Sequence, residues 1–251
     1  MEMSGHTILI TGGTSGIGYA LAEHLLRRNN LVLITGRTEA RLAEARRGLP
    51  GVHTFVCDQS DPEAIARLHA ETTSAFPSLD ILINNAGIGL KRDLNDASVP
   101  LEDLEREIRT NLTGPIQLNA QFLPHLKAQD EAMIVNVTSG LAFVPLALKP
   151  IYCATKAAMH SYTQSLRAQL AKTSVQVVEL APPAVATEFN KGQEDMNTGH
   201  RMEVNKLATA AIRGLDRGRL EILPGPTPIL RLIGRLNPHA VLRRAAAAQM
   251  R

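Results

Sequence analysis

The sequence predicts an α/β fold: a doubly wound, parallel, Rossmann-type sheet in a single domain, with a short C-terminal extension. Three observations carry this. Short apolar runs alternate with longer helix-like segments along most of the chain. Several runs are nearly unbroken Val, Ile and Leu, as strands covered on both faces require. The first run opens directly into a glycine-rich turn and then a helical segment. Such alternation implies right-handed crossovers, hence a parallel sheet with helices on both faces. The 251 residues suffice for one such domain with a substantial core.

In chain order, strands are expected at 7–10, 31–34, 53–56, 81–83, 133–137, 176–180 and 221–223. Helices are expected at about 17–28, 39–48, 62–75, 101–127, 151–172 and 203–216. Pro224-Gly225-Pro226-Thr227-Pro228 is the one break in composition, so the sequence divides into a domain over 1–225 and an extension over 226–251. In the extension, Ile229, Leu232, Ile233 and Leu236 recur at helical spacing and give one apolar face. Arg231, Arg235, Arg243, Arg244 and Arg251 add positive charge with no acid among them, while Gly234 and Pro238 interrupt the helix. The expectation is a segment that covers a substrate cleft or a subunit interface, with contact to an anionic membrane surface as the alternative.

The net charge is +3, but residues 201–251 hold ten Lys/Arg against three Asp/Glu, so the basic character is local. No aromatic cluster or nucleic-acid motif accompanies it, which argues against a nucleic-acid partner. Cys57 and Cys153 form no CxxC pair and read as reduced thiols of a cytoplasmic protein. No signal-peptide pattern opens the chain, and the longest uncharged stretch, 132–148, is too short and polar to span a bilayer. The eight histidines show no paired spacing, so no metal site is expected.

The glycine-rich turn is Thr11-Gly12-Gly13-Thr14-Ser15-Gly16-Ile17-Gly18. Glycine permits the tight turn and a close backbone approach to a pyrophosphate, and the helix that follows supplies N–H groups and the positive end of its dipole. Its spacing is GxxxGxG rather than GxGxxG. Further on stand Asn84-Asn85-Ala86-Gly87, Asn111 within Arg109-Thr110-Asn111-Leu112, Ser139 after the fifth strand, and Tyr152-Cys153-Ala154-Thr155-Lys156. These five motifs, in this order, resemble the short-chain dehydrogenase/reductase family in its compact single-domain branch, over about residues 5–225. Details such as Gly140-Leu141-Ala142-Phe143 and Ala181-Pro182-Pro183 are most similar to the DltE-like bacterial oxidoreductases. The resemblance implies an enzyme that interconverts a carbonyl and a secondary alcohol by hydride transfer, with a small-molecule substrate.

Tyr152 and Lys156 lie four apart in a helical segment and share a face. An ammonium beside a phenol favours the phenolate and lowers its pKa from about 10, toward the range in which proton transfer to a carbonyl oxygen is efficient. Ser139 follows a buried strand at the edge where open α/β sheets bind ligands, and its hydroxyl is placed to donate to the substrate oxygen. In the family, the counterpart of Asn111 holds a water that connects the lysine to solvent, and that role is carried over. Ser139 as a hydrolytic nucleophile is disfavoured by the lack of GxSxG. Cys153 is read as a packing residue.

The second strand ends Ile34-Thr35-Gly36-Arg37, with no carboxylate for a ribose 2′-OH and an arginine suited to a 2′-phosphate. NADP(H) is therefore expected in preference to NAD(H). The expected cofactor contacts are Gly12, Thr14, Ser15, Gly16, Ile17 and Gly18 in the turn, Arg37, Asp58 near the adenine, and Asn85, Ala86 and Gly87. Tyr152 and Lys156 complete the set, with Val185 and Thr187 near the nicotinamide carboxamide. Pro183 stands where relatives carry glycine. The polar stretch 188–200 is expected to form a substrate lid. A homodimer or homotetramer paired through the helices at 101–127 and 151–172 is implied by the resemblance. The alternative function is an NADP(H)-binding regulatory or sensor protein with little turnover. A sugar-nucleotide epimerase would need a substrate domain that the chain has no room for.

Overall fold

A computed structural model of the chain describes residues 1–96, 98–187, 189 and 201–236. Among them, strands β1 (Thr7–Ile10), β2 (Leu31–Gly36), β3 (His53–Val56), β4 (Leu79–Asn84), β5 (Ala132–Val137), β6 (Val175–Leu180) and β7 (Glu221–Ile222) form one sheet in the order β3-β2-β1-β4-β5-β6-β7. Every pairing is parallel. The chain winds outward from β1 through β2 to β3, then crosses back to β4 on the other side of β1. The strand order therefore reverses between β1 and β4, the place where open α/β sheets bind ligands beyond the carboxyl ends of their strands.

The alternating side chains of the strands feed two apolar layers. Ile8 and Ile10 pack with Leu21 and Leu25 of α1 (Gly16–Leu26), Leu42 of α2 (Glu39–Gly48) and Ala208 and Ile212 of α7 (Val204–Asp216). Leu9 faces the opposite way, toward Ile65 of α3 (Pro62–Ala75), Phe122 of α5 (Gly114–Lys127) and Leu166 of α6 (Pro150–Gln169). Each such buried Leu, Ile or Phe side chain contributes roughly 1.5–3 kcal/mol of hydrophobic free energy. Local signals start the helices: Asp61 accepts from the Glu63 amide at 2.9 Å with Pro62 in the first turn, and Pro150 opens α6.

Two expectations need correction. The single helix foreseen at 101–127 is α4 (Leu101–Ile108), a π-helical turn over Arg109–Thr113, and α5. The chain is crowded where the widened turn ends, since a Cβ on Gly114 would lie 2.2 Å from the Gln59 carbonyl oxygen. The widened turn carries Asn111 and belongs to the class of insertions concentrated at functional sites. The extension is helical over α8 (Thr227–Leu236), which runs on through Gly234 where an interruption was expected, and Ile229, Leu232, Ile233 and Leu236 are exposed. It docks by the other side: Leu230 meets Gly140, and a Cβ on Gly234 would fall 2.3 Å from the Phe143 carbonyl oxygen. Arg231 fixes the helix by pairing with Glu221. Pro238 and the remaining tail lie outside the described residues.

Among the described residues, no helix is long and apolar enough to cross a membrane.

Candidate active site

The turn after β1 is held in the conformations its glycines allow. Gly12 and Gly16 have φ of +66° and +56°, the left-handed region that disfavours a side chain. A Cβ on Gly18 would lie 2.3 Å from the Gly12 carbonyl oxygen, so this glycine lets α1 press against the turn. Gly13, which the motif reading passed over, is equally constrained, with Ile34 Cγ2 2.4 Å from where its Cβ would be. Across the switch point, the Thr11 hydroxyl accepts from the amides of Asn85 and Ala86, both at 3.0 Å, and Asn85 Nδ2 returns a bond to the Thr11 carbonyl at 2.9 Å. Thus Asn85 first braces the turn against β4.

A single cavity of about 1130 Å³ runs from this turn to the end of α6. On its wall are Gly12, Thr14, Ser15, Gly16 and Ile17; then Arg37 and Asp58; then Asn85, Ala86 and Gly87; and finally Ser139, Tyr152, Lys156, Val185 and Thr187. Gly18 packs behind the turn instead, and Asn111 stands behind the wall that its neighbour Thr110 lines. The donor set fits a dinucleotide: a glycine cradle at a helix N-terminus for a pyrophosphate, and exposed Arg37 and Arg41 near one end. Arg41 was not foreseen, although it follows Arg37 by four residues at the start of α2. Asp58 accepts from the amide and hydroxyl of Ser60 at 2.9 and 2.7 Å, which fixes its carboxylate at the cavity edge.

The catalytic candidates converge at the other end. Ser139 caps a short 3₁₀ turn, Gly140–Ala142, accepting from the Leu141 amide at 3.1 Å, and its side chain is hydrogen-bonded to Tyr152. Lys156 Nζ stands 5.7 Å from the centroid of the Tyr152 ring and donates to the Val137 carbonyl at 2.8 Å. Asn111 accepts from the Ile88 amide at 2.8 Å and donates to its carbonyl at 2.7 Å, so the π-helical turn clamps the loop after β4. A Cβ on Gly87 would lie 3.1 Å from Asn111 Oδ1 and 3.8 Å from Lys156 Nζ, which places these groups around one glycine.

The electrostatics depart from the helical-spacing argument. The Tyr152 phenol is pushed above its ordinary value by burial, with the Ser139 hydrogen bond pulling the other way. Burial lowers Lys156 to about 8. Sharing a helix face does bring the two together, but in this enclosed site burial penalises both charged forms and outweighs any stabilisation of the phenolate.

Substrate-side groups were largely missed by sequence reasoning. Leu141, Val144, Leu146 and Leu230 line this end with Lys149. Phe189 lies 5.6 Å from Tyr152, ring centroid to ring centroid. It is the one described residue of the expected lid, the rest of 188–200 lying outside the described residues. The loop before it is tied down: the Ala186 amide donates to the Met202 carbonyl and the Met202 amide to the Ala184 carbonyl, both at 2.9 Å, and Thr187 stands 3.4 Å from where a Gly16 Cβ would be. Pro183 is accommodated on the cavity wall, and its neighbour Pro182 still accepts from the Gly140 amide at 2.7 Å. Behind Ser139, Thr138 donates to the buried Glu179 at 2.6 Å and His160 meets the same carboxylate at 2.8 Å, a network no motif announced. Cys57 and Cys153 are free and buried, and Cys153 accepts from the Leu146 amide at 3.2 Å.

A parallel sheet with a glycine cradle at its switch point, opening on a Ser–Tyr–Lys cluster, defines a dinucleotide-dependent oxidoreductase. The chain belongs to the short-chain dehydrogenase family, whose model matches residues 6–198. It is 46% identical over 224 residues to the uncharacterized oxidoreductase DltE of Bacillus subtilis, covering 88% of this chain and 89% of that one. A short-chain dehydrogenase from Burkholderia cenocepacia, solved in complex with NADP, superposes with a TM-score of 0.84 at 26% identity, over 98% of this chain and 99% of that one. The 3-ketoacyl-(acyl-carrier-protein) reductase of Brucella melitensis, solved with NADH, does so with a TM-score of 0.76 at 29% identity, over 85% and 91%. The protein is accordingly an NAD(P)-dependent enzyme of this family.

Proposed function

We propose that the enzyme interconverts a carbonyl and a secondary alcohol, uses NADP(H) in preference to NAD(H), and employs Tyr152 as general acid and base. The observation that carries the reading is the buried Tyr152 phenol, hydrogen-bonded to Ser139, in the same cavity as the glycine turn. A bound nicotinamide dinucleotide supplies or accepts the hydride. Because burial keeps the phenol protonated, Tyr152 holds the proton a nascent alkoxide needs, which favours reduction at neutral pH. Ser139 orients the substrate oxygen, and Lys156 stabilises charge that develops on the phenol. Asn111 holds the backbone at Ile88, and with it the position of Lys156. Arg37 and Arg41 support the NADP(H) preference, as cations near the adenosine end with no carboxylate at Gly36.

The active protein is proposed to be a cytoplasmic homodimer or homotetramer, assembled through α4–α5 and α6. Exposed Leu101 and Ile108 of α4 are consistent with a covered face. The test of the reading is NADPH oxidation over a panel of ketones, aldehydes, quinones and keto-esters, with Tyr152→Phe as the blank. Turnover that survives in Tyr152→Phe would refute the acid assignment, and NADPH binding without turnover of any panel member would favour a sensor.

A further inference from the structure

The π-helical turn before α5 leaves a backbone carbonyl short of a donor. The Gly114 amide bonds to the Arg109 carbonyl, and so is withdrawn from the Thr110 carbonyl that it would meet in an ordinary α-helix. Position 115 offers no replacement, because Pro115 has no N–H. A buried carbonyl without a partner is costly, and Gln59 supplies the missing donor. Its Nε2 donates to the Thr110 carbonyl at 2.6 Å and to the Ala86 carbonyl at 2.9 Å. Both neighbours are carbonyl oxygens, so only the NH2 end of the amide can face them. Gln59 is buried, and its Oε1 has no partner among the described residues, so the two donated bonds account for an amide here. We propose that Gln59 is a positioning residue for the reaction: by joining the loop after β4 to the π-helical turn it sets Asn111, and through Asn111 the stretch of α6 that carries Tyr152 and Lys156. The inference rests on the reductase reading for the reacting side chains but not for the hydrogen bonds that hold them.

The bonds close a circuit. From Ala86 the chain runs on to Ile88, whose amide donates to Asn111 Oδ1 at 2.8 Å and whose carbonyl accepts from Asn111 Nδ2 at 2.7 Å. Asn111 follows Thr110, and the Thr110 carbonyl returns to Gln59. A branch leaves this circuit for α6. Asn111 Nδ2 also reaches the buried Thr155 Oγ1 at 3.3 Å, and that hydroxyl donates to the Tyr152 carbonyl at 2.8 Å. Thr155 immediately precedes Lys156, so the branch meets the helix between the proposed acid and its lysine. The main chain of Gln59 adds a second hold. Its carbonyl oxygen lies 2.2 Å from where a Gly114 Cβ would be, so one residue secures both Thr110 and the end of the turn. Gln59, Ala86 and Thr110 all line the cavity, so the circuit forms part of its wall. Burial is what lowers Lys156 to about 8, and its titration therefore reports how tightly that wall is sealed.

The test compares the full wild-type chain with Gln59→Met, which keeps the length of the side chain and loses both donors. With NADPH and the carbonyl that wild type reduces best, kcat is expected to fall about tenfold or more, the scale of a small displacement at a reacting site, while KM for NADPH stays within a few-fold. The Lys156 ammonium is followed by NMR of protein carrying isotope-labelled lysine, its signal identified by its loss in Lys156→Arg. In Gln59→Met its midpoint is expected to rise above the wild-type one, because a loosened wall admits water. Asn111→Ala supplies a further check: the double variant is expected to lose no more activity than Asn111→Ala alone. Gln59→Leu replaces the methionine variant if that one does not fold. An unchanged kcat, an unmoved Lys156 midpoint, or additive losses in the double variant overturns the proposal, since Gln59 then only fills space. If wild type reduces no carbonyl, the reductase reading fails and the Lys156 midpoint alone decides: a midpoint displaced in Gln59→Met keeps the positioning role, and an unmoved one removes it.

Discussion

Lys156 donates to the carbonyl of Val137 at 2.8 Å, across nineteen residues of chain, and so is tied to the end of β5 rather than to the tyrosine one turn away in its own helix. Burial lowers the ammonium to about 8, with consequences for rate and for stability. Reduction is expected to slow as pH rises through about 8, because the charge opposite the developing phenolate is lost. Lys156→Arg should move that fall to higher pH. For stability, the folded-state value lies below the unfolded value of about 10.4, so the folded protein binds fewer protons across that window. The cost of burying the charge is complete below about 8 and is relieved as pH rises toward 10.4. Lys156→Met should therefore melt higher than wild type at pH 7, and the gap should narrow by pH 9.5; a constant gap would contradict the assignment.

Tyr152→Phe is expected to lower kcat by about two orders of magnitude or more, the scale of losing a general acid. The ring keeps its packing against Phe189, so NADPH affinity should stay within a few-fold. Single-turnover kinetics beside fluorescence titration with NADPH separates the two effects.

Arg37→Ala is expected to weaken NADPH binding about tenfold while leaving NADH nearly unchanged, because a charge-assisted bond to phosphate is lost and no carboxylate replaces it. Arg41→Ala should have a smaller effect of the same sign, and the double variant should bind both cofactors alike. Titration calorimetry with each cofactor measures this; a wild-type protein without preference rules it out.

Gly18→Ala places a methyl group 2.3 Å from the Gly12 carbonyl oxygen, which cannot be relieved by a rotamer change. Backbone displacement of this kind costs roughly 1–3 kcal/mol. Denaturant unfolding should show that loss, and cofactor affinity should fall with it, because the turn and the helix N-terminus move together. Gly51→Ala, at a left-handed position with open space around it, controls for strain alone.

Removing 227–251 strips Pro226's helical continuation and Leu230 from the cavity, and exposes the surface beneath Gly234. The truncated enzyme is expected to show a higher KM and a lower melting temperature. An unchanged KM and melting temperature, with loss of sedimentation on anionic vesicles, would assign the extension to membrane contact.

The sequence by itself determined the sheet, the glycine turn and the side chains here proposed to react. Unbroken apolar runs such as Ile81–Ile83 can be buried only between two helical layers, and GxxxGxG at a strand–helix junction leaves little other use for its glycines. What it could not determine depends on distances between segments far apart in the chain. Helical spacing put Tyr152 and Lys156 on one face, but only the packed fold shows that burial raises one and lowers the other. The break at Arg109–Thr113 ends where Gln59, some fifty residues earlier, closes on Gly114, a contact that no local spacing announces. The apolar stripe of α8 was legible, yet the helix docks by Leu230 and Gly234, because close approach to Phe143 and the pairing of Arg231 with Glu221 fix its rotation. Lys149 looks like an ordinary surface lysine before a proline until α4, α6 and Phe189 close around it. Local pattern specifies elements and their chemistry; desolvation, which decides charge, is a property of the assembled interior.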